Sequence, residues 1–161
     1  MARRFVRIDL SREARDFRPL ALEPGVPILD LSGGNSRLLS EWIGRMAAQP
    51  EWDEESVNFY VQDDEGGRLE DVSVQPANAE DLQGPLKKEV ELLRERLAKA
   101  QGENSFERAL HRALSESLEA LLDDPTRNDL DAFFFRYRDA NDQLRLVWCW
   151  GYQRGDSQMA R

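Results

Sequence analysis

Residues 133–152 read FFFRYRDANDQLRLVWCWGY, and this stretch decides the fold more than any other part of the chain. Apolar and charged residues alternate on both sides of a short polar loop, which predicts two antiparallel strands joined as a hairpin over 132–153. Asp139, Asn141 and Asp142 are residues that tight connections favour. The alternation predicts that two aromatic rows meet across the strands. These rows are Phe133, Phe135 and Tyr137 on the first strand and Trp148, Trp150 and Tyr152 on the second.

Two helices are predicted before this hairpin. Leu86, Val90, Leu93 and Leu97 recur at spacings of three and four residues, so a helix over 85–100 buries one face. Asn104 and Glu107 have the spacing of a capping box, and a second apolar stripe follows over 105–122. The two helices form a helical hairpin over 85–124. We expect it to pack on the sheet, with a homodimer through helices 85–100 and 105–122 as the alternative.

The first half of the chain carries shorter signals. Val6, Ile8 and Leu10 alternate with polar residues and predict a strand, and a helical stripe starts at Leu38. The run 57–61 predicts a strand that returns at 69–74 after an acidic turn, and residues 75–84 have the composition of a linker.

The predicted fold is therefore a single α+β domain over residues 1–154, followed by a disordered tail over 155–161. It has two layers, in which two antiparallel β-hairpins in one sheet pack against the αα-hairpin and an additional N-terminal helix.

The charge of the chain is concentrated in one segment. The chain has 22 Lys and Arg against 31 Asp and Glu, a net charge of -9, and residues 49–84 alone hold a net charge of -10. We call residues 49–84 the acidic segment. An acidic chain binds phosphate backbones poorly, which argues against nucleic acid as a partner. Instead the acidic segment predicts a protein partner with a basic surface, contacted through Asp63, Asp64 and Glu65.

Compartment and cofactors follow from absences in the sequence. No apolar run approaches the ~18 residues that a membrane helix needs, and the Arg-rich start lacks the apolar region of a signal peptide. One cysteine excludes an intramolecular disulfide. We therefore expect a cytoplasmic protein without membrane contact. No cofactor is predicted, and no metal site, because the acidic clusters suit turns better than ligand sets.

One stretch has the pattern of a ligand-binding turn. Asp30, Gly33, Gly34, Asn35 and Ser36 lie where a predicted strand turns into a helix, a place that presents backbone N–H groups to an anion. The stretch resembles the first motif of Rossmann-type methyltransferases, with Ser32 standing where that motif has its first glycine. The resemblance implies an enzyme that binds a nucleotide or another small molecule at this turn. The alternative is an ordinary strand-to-helix turn.

Two further groups could carry chemistry. Glu107, His111 and Ser115 follow one another at helical spacing, but side chains in line on one helix do not converge on a substrate. Cys149 falls on the strand face opposite its two tryptophan neighbours, which predicts a small buried residue. Neither pattern predicts a catalytic residue.

These patterns favour a non-catalytic protein–protein interaction module, such as an adaptor, a regulatory domain or a dedicated chaperone. Its predicted partner-binding residues are those of the acidic loop together with Trp148, Trp150 and Tyr152, since Trp and Tyr are favoured at binding hot spots. The enzyme at the glycine turn is one alternative. An acidic immunity protein or nucleic-acid mimic is another, because the acidic segment could imitate phosphate charge.

Overall fold

The computed structural model describes residues 4–9, 17–19, 34–52, 56–63, 67, 69, 72–123 and 134–154. Helices and strands are mixed along the chain, which confirms the α+β class. The strands are β1 (Arg4–Asp9), β2 (Phe17–Pro19), β3 (Gln49–Trp52), β4 (Ser56–Tyr60), β5 (Gln75–Pro76), β6 (Phe134–Arg138), β7 (Leu144–Trp148) and β8 (Tyr152–Arg154). The helices are α1 (Gly34–Ile43), α2 (Ala79–Gln83), α3 (Lys87–Lys99) and α4 (Ser105–Asp123), and a 3₁₀ turn at Gly44–Met46 follows α1. The strand predicted just before the glycine turn and the tail 155–161 lie outside the described residues.

The described strands form three sheets, whereas a single sheet is predicted from the sequence. Their orders are β1-β4-β3, β2-β8 and β5-β6-β7, and every pairing within them is antiparallel. Both edges of β4 are occupied, by β1 on one side and β3 on the other, so β4 pairs with neither the predicted return strand nor the C-terminal hairpin. Pro50 lies on β3 at the sheet edge, where a residue without an N–H is tolerated.

The predicted return strand over 69–74 is absent from the described part of that range. Leu69 N–H donates to Val61 O at 2.9 Å, but Val72 and its neighbours up to Val74 belong to no strand. The chain instead continues into β5, which pairs with β6. The predicted linker over 75–84 therefore contains both β5 and α2, and Asn78 caps α2 with a reciprocal hydrogen bond to Asp81.

The C-terminal hairpin forms, but its aromatic rows do not meet. Arg138 pairs with Leu144 around a five-residue connection, so Phe135 opposes Val147 and Phe134 opposes Trp148. The predicted partners therefore lie on opposite faces of the ribbon, because a shift of one residue exchanges the faces. Across the described strands of the hairpin, Phe134 and Trp148 are stacked at a centroid distance of 5.9 Å.

Both faces of this hairpin contribute side chains to the core. On β6 and β7 the buried side chains include Phe134, Phe135, Tyr137, Leu146, Val147 and Trp148. They join one core cluster with residues of α1, α3 and α4. The apolar stripes of α3 and α4 are buried in this core. They include Leu93, Leu97, Leu110, Leu114 and Leu118. A dimer through α3 and α4 would therefore have to use the exposed faces of these helices.

The helix ends agree with their sequence signals. Asn104 Oδ1 accepts from Glu107 N–H at 2.9 Å, as the capping box predicts, while the Glu107 side chain accepts from Glu103 N–H at 3.0 Å instead of from Asn104. Helix α1 ends because Gly44 has φ +65°, a conformation that favours glycine.

Candidate functional site

The described structure reaches part of the predicted ligand turn. Gly34 is the first residue of α1, and Asn35 and Ser36 follow it in the first turn. Asp30 and Gly33 lie outside the described residues. The anion-binding interpretation of this turn therefore stays a prediction.

The acidic loop is closed by its own hydrogen bonds. Asp63 Oδ1 accepts from Gly67 N–H at 2.9 Å, and Asp63 N–H donates to Gly67 O at 2.8 Å. Asp63 is half-buried, so its carboxylate serves the loop as well as facing solvent. Asp64 and Glu65 lie outside the described residues.

The tryptophans predicted as partner contacts belong to the core. Trp148 and Trp150 are each 1 % exposed. Trp150 Nε1 donates to Ala48 O at 2.7 Å, which fixes the indole inside the chain. They are therefore not on an accessible partner surface, because the hairpin is covered on two faces rather than one. Tyr152 begins β8.

The side chains that could take part in catalysis are engaged in structural contacts. His111 Nε2 lies 2.6 Å from Leu97 O, and its ring packs edge-on against Trp42 at a centroid distance of 5.4 Å. The Glu107 side chain is bound to the loop before α4, so Glu107, His111 and Ser115 form no relay. Burial raises the pKa of Cys149 well above its usual value, which keeps this thiol protonated at neutral pH.

A buried ion pair closes the free edge of β7. Arg45 Nη2 donates to both oxygens of Glu89 at 2.7 Å. Glu89 Oε1 also accepts from Leu146 N–H at 3.1 Å, and Arg45 Nη1 donates to Leu146 O at 3.4 Å. The two side chains thus satisfy the backbone groups that a neighbouring strand would otherwise bind.

The same cluster extends along the hairpin. Arg145 Nη1 lies 3.8 Å from Glu89 Oε2, and Arg145 Nε donates to Asp139 Oδ2 at 2.8 Å. Burial raises the pKa of Tyr137 above its usual value, against an opposing effect of Arg45. The cluster therefore joins the 3₁₀ turn, α3 and both strands of the hairpin, and we assign it a structural role.

The buried side-chain amide of Gln62 also holds the 3₁₀ turn in place. Gln62, which is 2 % exposed, donates from Nε2 to Ala47 O at 2.8 Å, to Gly44 O at 3.2 Å and to Ser40 Oγ at 3.1 Å. Its Oε1 accepts from Gln49 Nε2 at 2.9 Å. Gln62, which lies just after β4 in the acidic segment, is thereby anchored to α1 and to the 3₁₀ turn, so this part of the segment is held in place.

The grooves on the described surface include one beside β6 and one beside α4. The first has a volume of about 580 Å³ and follows β6; we call it the β6 groove. Its lining comprises Val72, Ser73, Gln75, Pro85, Arg136, Tyr137, Arg138 and Leu144. The second, of about 600 Å³, lies beside the turn between α3 and α4; we call it the α4 groove. Its lining comprises Ala100, Gln101, Gly102, Arg108, His111, Arg112 and Ser115.

The β6 groove has an apolar floor and two arginines. Arg136 and Arg138 share a face of β6 because they are two residues apart, and Leu144 opposes Arg138 on β7. Arg136 is held by Asp81 Oδ1 at 2.9 Å and by Gln75 Oε1 at 3.0 Å. The Arg138 side chain is 60 % exposed, and its Nη1 donates to Asp142 O in the hairpin loop at 3.0 Å.

The alternation of residues in this strand places Arg136 and Arg138 on its polar face and does not predict the groove. The groove depends on Pro85 and Gln75, which come from a region interpreted as a linker, so the strand pattern alone could not reveal it. Among the described residues no cluster of His, Cys, Asp and Glu is arranged to hold a metal ion. None of the described helices is long and apolar enough to cross a bilayer.

Comparison with known proteins adds no relative: no protein-family model, curated protein or solved structure matches the chain. The grooves and their charged side chains are therefore the features that bear on function.

Proposed function

We propose that this chain is a non-catalytic protein-binding domain, and that the β6 groove receives an extended segment of its partner. The observation that carries the proposal is the pairing of an apolar floor with an exposed arginine in one open groove. The segment we infer carries an Asp or Glu next to an aliphatic residue. This moves the binding surface from the aromatic ribbon, which is buried, to the arginine face of the same hairpin.

The floor provides the apolar part of the contact. Val72 and Leu144 are half-buried and Pro85 is exposed, so an aliphatic side chain placed on them would remove apolar surface from water. Such burial contributes about 25 cal/mol per Å². The groove lies beside β5, a two-residue edge strand whose side chains are exposed. Extended peptides commonly bind next to sheet edges, where alternate side chains enter a groove.

The two arginines would play different parts. Arg136 is fixed by Asp81 and Gln75 and shapes the wall of the groove. Among the described residues, Arg138 pairs with the exposed carboxylate of Asp142, with Nε 4.0 Å from Oδ1, and donates from Nη1 to the Asp142 carbonyl at 3.0 Å. An exposed ion pair of this kind contributes about 0–1 kcal/mol, so Arg138 can exchange it for a partner carboxylate at small cost.

The engagement of the potentially reactive groups supports a binding role. His111 is hydrogen bonded to a backbone carbonyl, Tyr137 is 2 % exposed and Cys149 is 1 % exposed. The acidic segment supplies a second surface of opposite sign, which would speed association with a partner that is basic around its docking segment. Most of that association rate should be lost at high salt, whereas the floor contact should persist.

A displayed library of random 12-residue peptides tests the proposal. Selection against the full chain should enrich Asp or Glu beside Leu, Ile or Val. The enriched peptides should bind Arg138→Glu and Leu144→Ser at least about tenfold more weakly. Arg37→Glu is the matched control, because Arg37 is exposed on α1 and lies outside the groove lining.

Thermal unfolding of each variant separates lost binding from lost folding. Equal binding of the enriched peptides to wild type, Arg138→Glu and Leu144→Ser would refute the groove as the binding surface. A selection that enriches basic peptides, with affinity that collapses in salt, would favour the acidic mimic instead.

A further inference from the structure

The α4 groove presents two arginines without described carboxylate partners. We propose that this groove binds a phosphate monoester group, held between Arg108 and Arg112. The site shares no lining residue with the β6 groove, so it does not depend on the proposed peptide binding. Its ligand is a phosphorylated side chain or a nucleoside monophosphate, which present the same group.

Helix geometry brings the polar residues together. Arg108, His111, Arg112 and Ser115 are spaced three or four residues apart, so they share one face of α4. The opposite wall is the loop 100–102, which approaches the helix very closely. A Cβ at Gly102 would lie 2.5 Å from Arg108 N, so glycine at this position keeps the groove in its shape.

Neither Arg108 nor Arg112 has a carboxylate partner in the described parts of the chain, unlike four other described arginines. Arg45, Arg94, Arg136 and Arg145 each donate to an Asp or Glu at 3.0 Å or less. Within the described parts of the chain, no ion pair or hydrogen bond involves Arg108 or Arg112 side chains, and none of the described lining residues of the α4 groove is acidic. The two guanidinium groups are therefore available to an anionic ligand in the groove.

Their position also works against helix stability. Two like charges four residues apart cost a few tenths of a kcal/mol, about the value of a favourable pair of that spacing. Cations are unfavourable near a helix N-terminus, yet Arg108 lies only four residues into α4 while the last turn has no basic residue. Local arrangements that oppose folding are expected at functional sites, where a ligand compensates for them.

The donors suit a phosphate better than a carboxylate. Guanidinium groups bind phosphate oxygens through paired N–H donors, and a dianion with three terminal oxygens can engage both arginines at once. The Ser115 hydroxyl adds a donor at the edge of the groove. His111 Nε2 is already engaged with Leu97 O, so His111 can offer a ligand only Nδ1.

Titration of the full chain followed by NMR tests the site. The probes are O-phosphoserine, adenosine 5′-monophosphate, inorganic phosphate and glutarate, each at constant ionic strength. Resonances of the Arg108 and Arg112 Nε–H groups should shift with the phosphate probes. Affinity should fall at least about tenfold in the double variant Arg108→Gln/Arg112→Gln. The stronger of the two organic phosphates identifies the source of the group.

The double variant Lys87→Gln/Lys88→Gln is the matched control, because it removes two adjacent exposed cations from the start of α3. It should bind the phosphate probes like wild type. Equal losses in both double variants would overturn the proposal, because they would show general charge attraction. The absence of shifts with any phosphate, or equal affinity for glutarate, would overturn it as well.

Discussion

Arg45 at the edge of β7 is paired with a carboxylate, whereas the two arginines of the α4 groove are not. Arg45 is 9 % exposed, and its guanidinium is shared between Glu89 and the carbonyl of Leu146. Arg108 and Arg112 are exposed and have no described carboxylate. Burial makes an unpaired charge costly, whereas water screens an exposed one at little cost. The first arrangement therefore stabilises this fold, and the second leaves charge available to a ligand.

The largest effect should come from removing the carboxylate at the β7 edge. Glu89→Ala leaves Arg45 buried without its partner and Leu146 N–H without an acceptor. We expect a loss of about 4 kcal/mol in the free energy of unfolding, measured by urea titration. The double variant Arg45→Met/Glu89→Leu should recover part of this loss, since it removes both charges. A single variant within about 0.5 kcal/mol of wild type would show that the pair is solvated, as the α4 arginines are.

A smaller loss is expected from the neutral bond at the same edge. Trp150→Phe removes the indole donor to Ala48 O and leaves space in the core. We expect a decrease of about 2 kcal/mol in the free energy of unfolding, from the unpaired carbonyl and the cavity. Binding of the peptides selected on the β6 groove should be unchanged, because Trp150 is not in its lining. Lost peptide binding in a variant that remains folded would return Trp150 to the partner surface.

The next contrast depends on pH. Arg145 holds the pKa of Asp139 below its usual value, and hydrogen bonds from Gln143 and Asn141 N–H act in the same direction. A depressed folded pKa contributes stability above the unfolded value, about 3.9 for Asp, and the contribution is lost as pH falls through the folded value. Asp139→Asn should therefore be less stable than wild type at neutral pH, and the two unfolding midpoints should converge in acid. A difference that does not shrink as the pH falls below the unfolded pKa would assign the effect to geometry instead of charge.

The smallest effect should be at the α4 groove. Arg108→Gln/Arg112→Gln removes a like-charge pair, so it should raise the free energy of unfolding slightly, by a few tenths of a kcal/mol. Urea titration in low salt measures it, and added salt should shrink the difference between wild type and variant. A clear loss of stability would mean that these arginines serve the fold, as Arg45 does.

The sequence predicted the local elements well and their partners poorly. Periodicity located α3, α4 and the C-terminal hairpin, because each buries a regular set of apolar residues. It could not place Arg45 against Glu89, which lie 44 residues apart and meet only through the packing of other elements. The same limit hid the β6 groove, whose wall comes from Pro85 and Gln75.

The errors at the hairpin have one physical origin. The alternation of residues 133–152 is compatible with two registers, and the connection between Arg138 and Leu144 selects the one that separates the aromatic rows. The sequence also gave no sign that both faces would be covered, since Arg136, Arg138 and Arg145 suggest a solvent-facing side. Their carboxylate partners Asp81, Asp142 and Asp139 explain how charged residues remain on a largely buried ribbon.

Cys149 gives the molecule an internal reporter of its own opening. It is the one cysteine of the chain, it lies directly after β7, and its neighbour Trp148 accepts at 3.1 Å from Ala48 N–H. Cys149 is 1 % exposed, so a thiol reagent can reach the sulfur only when the structure around it opens. The rate of labelling in native buffer therefore reads how often the structure opens there, without any engineered probe.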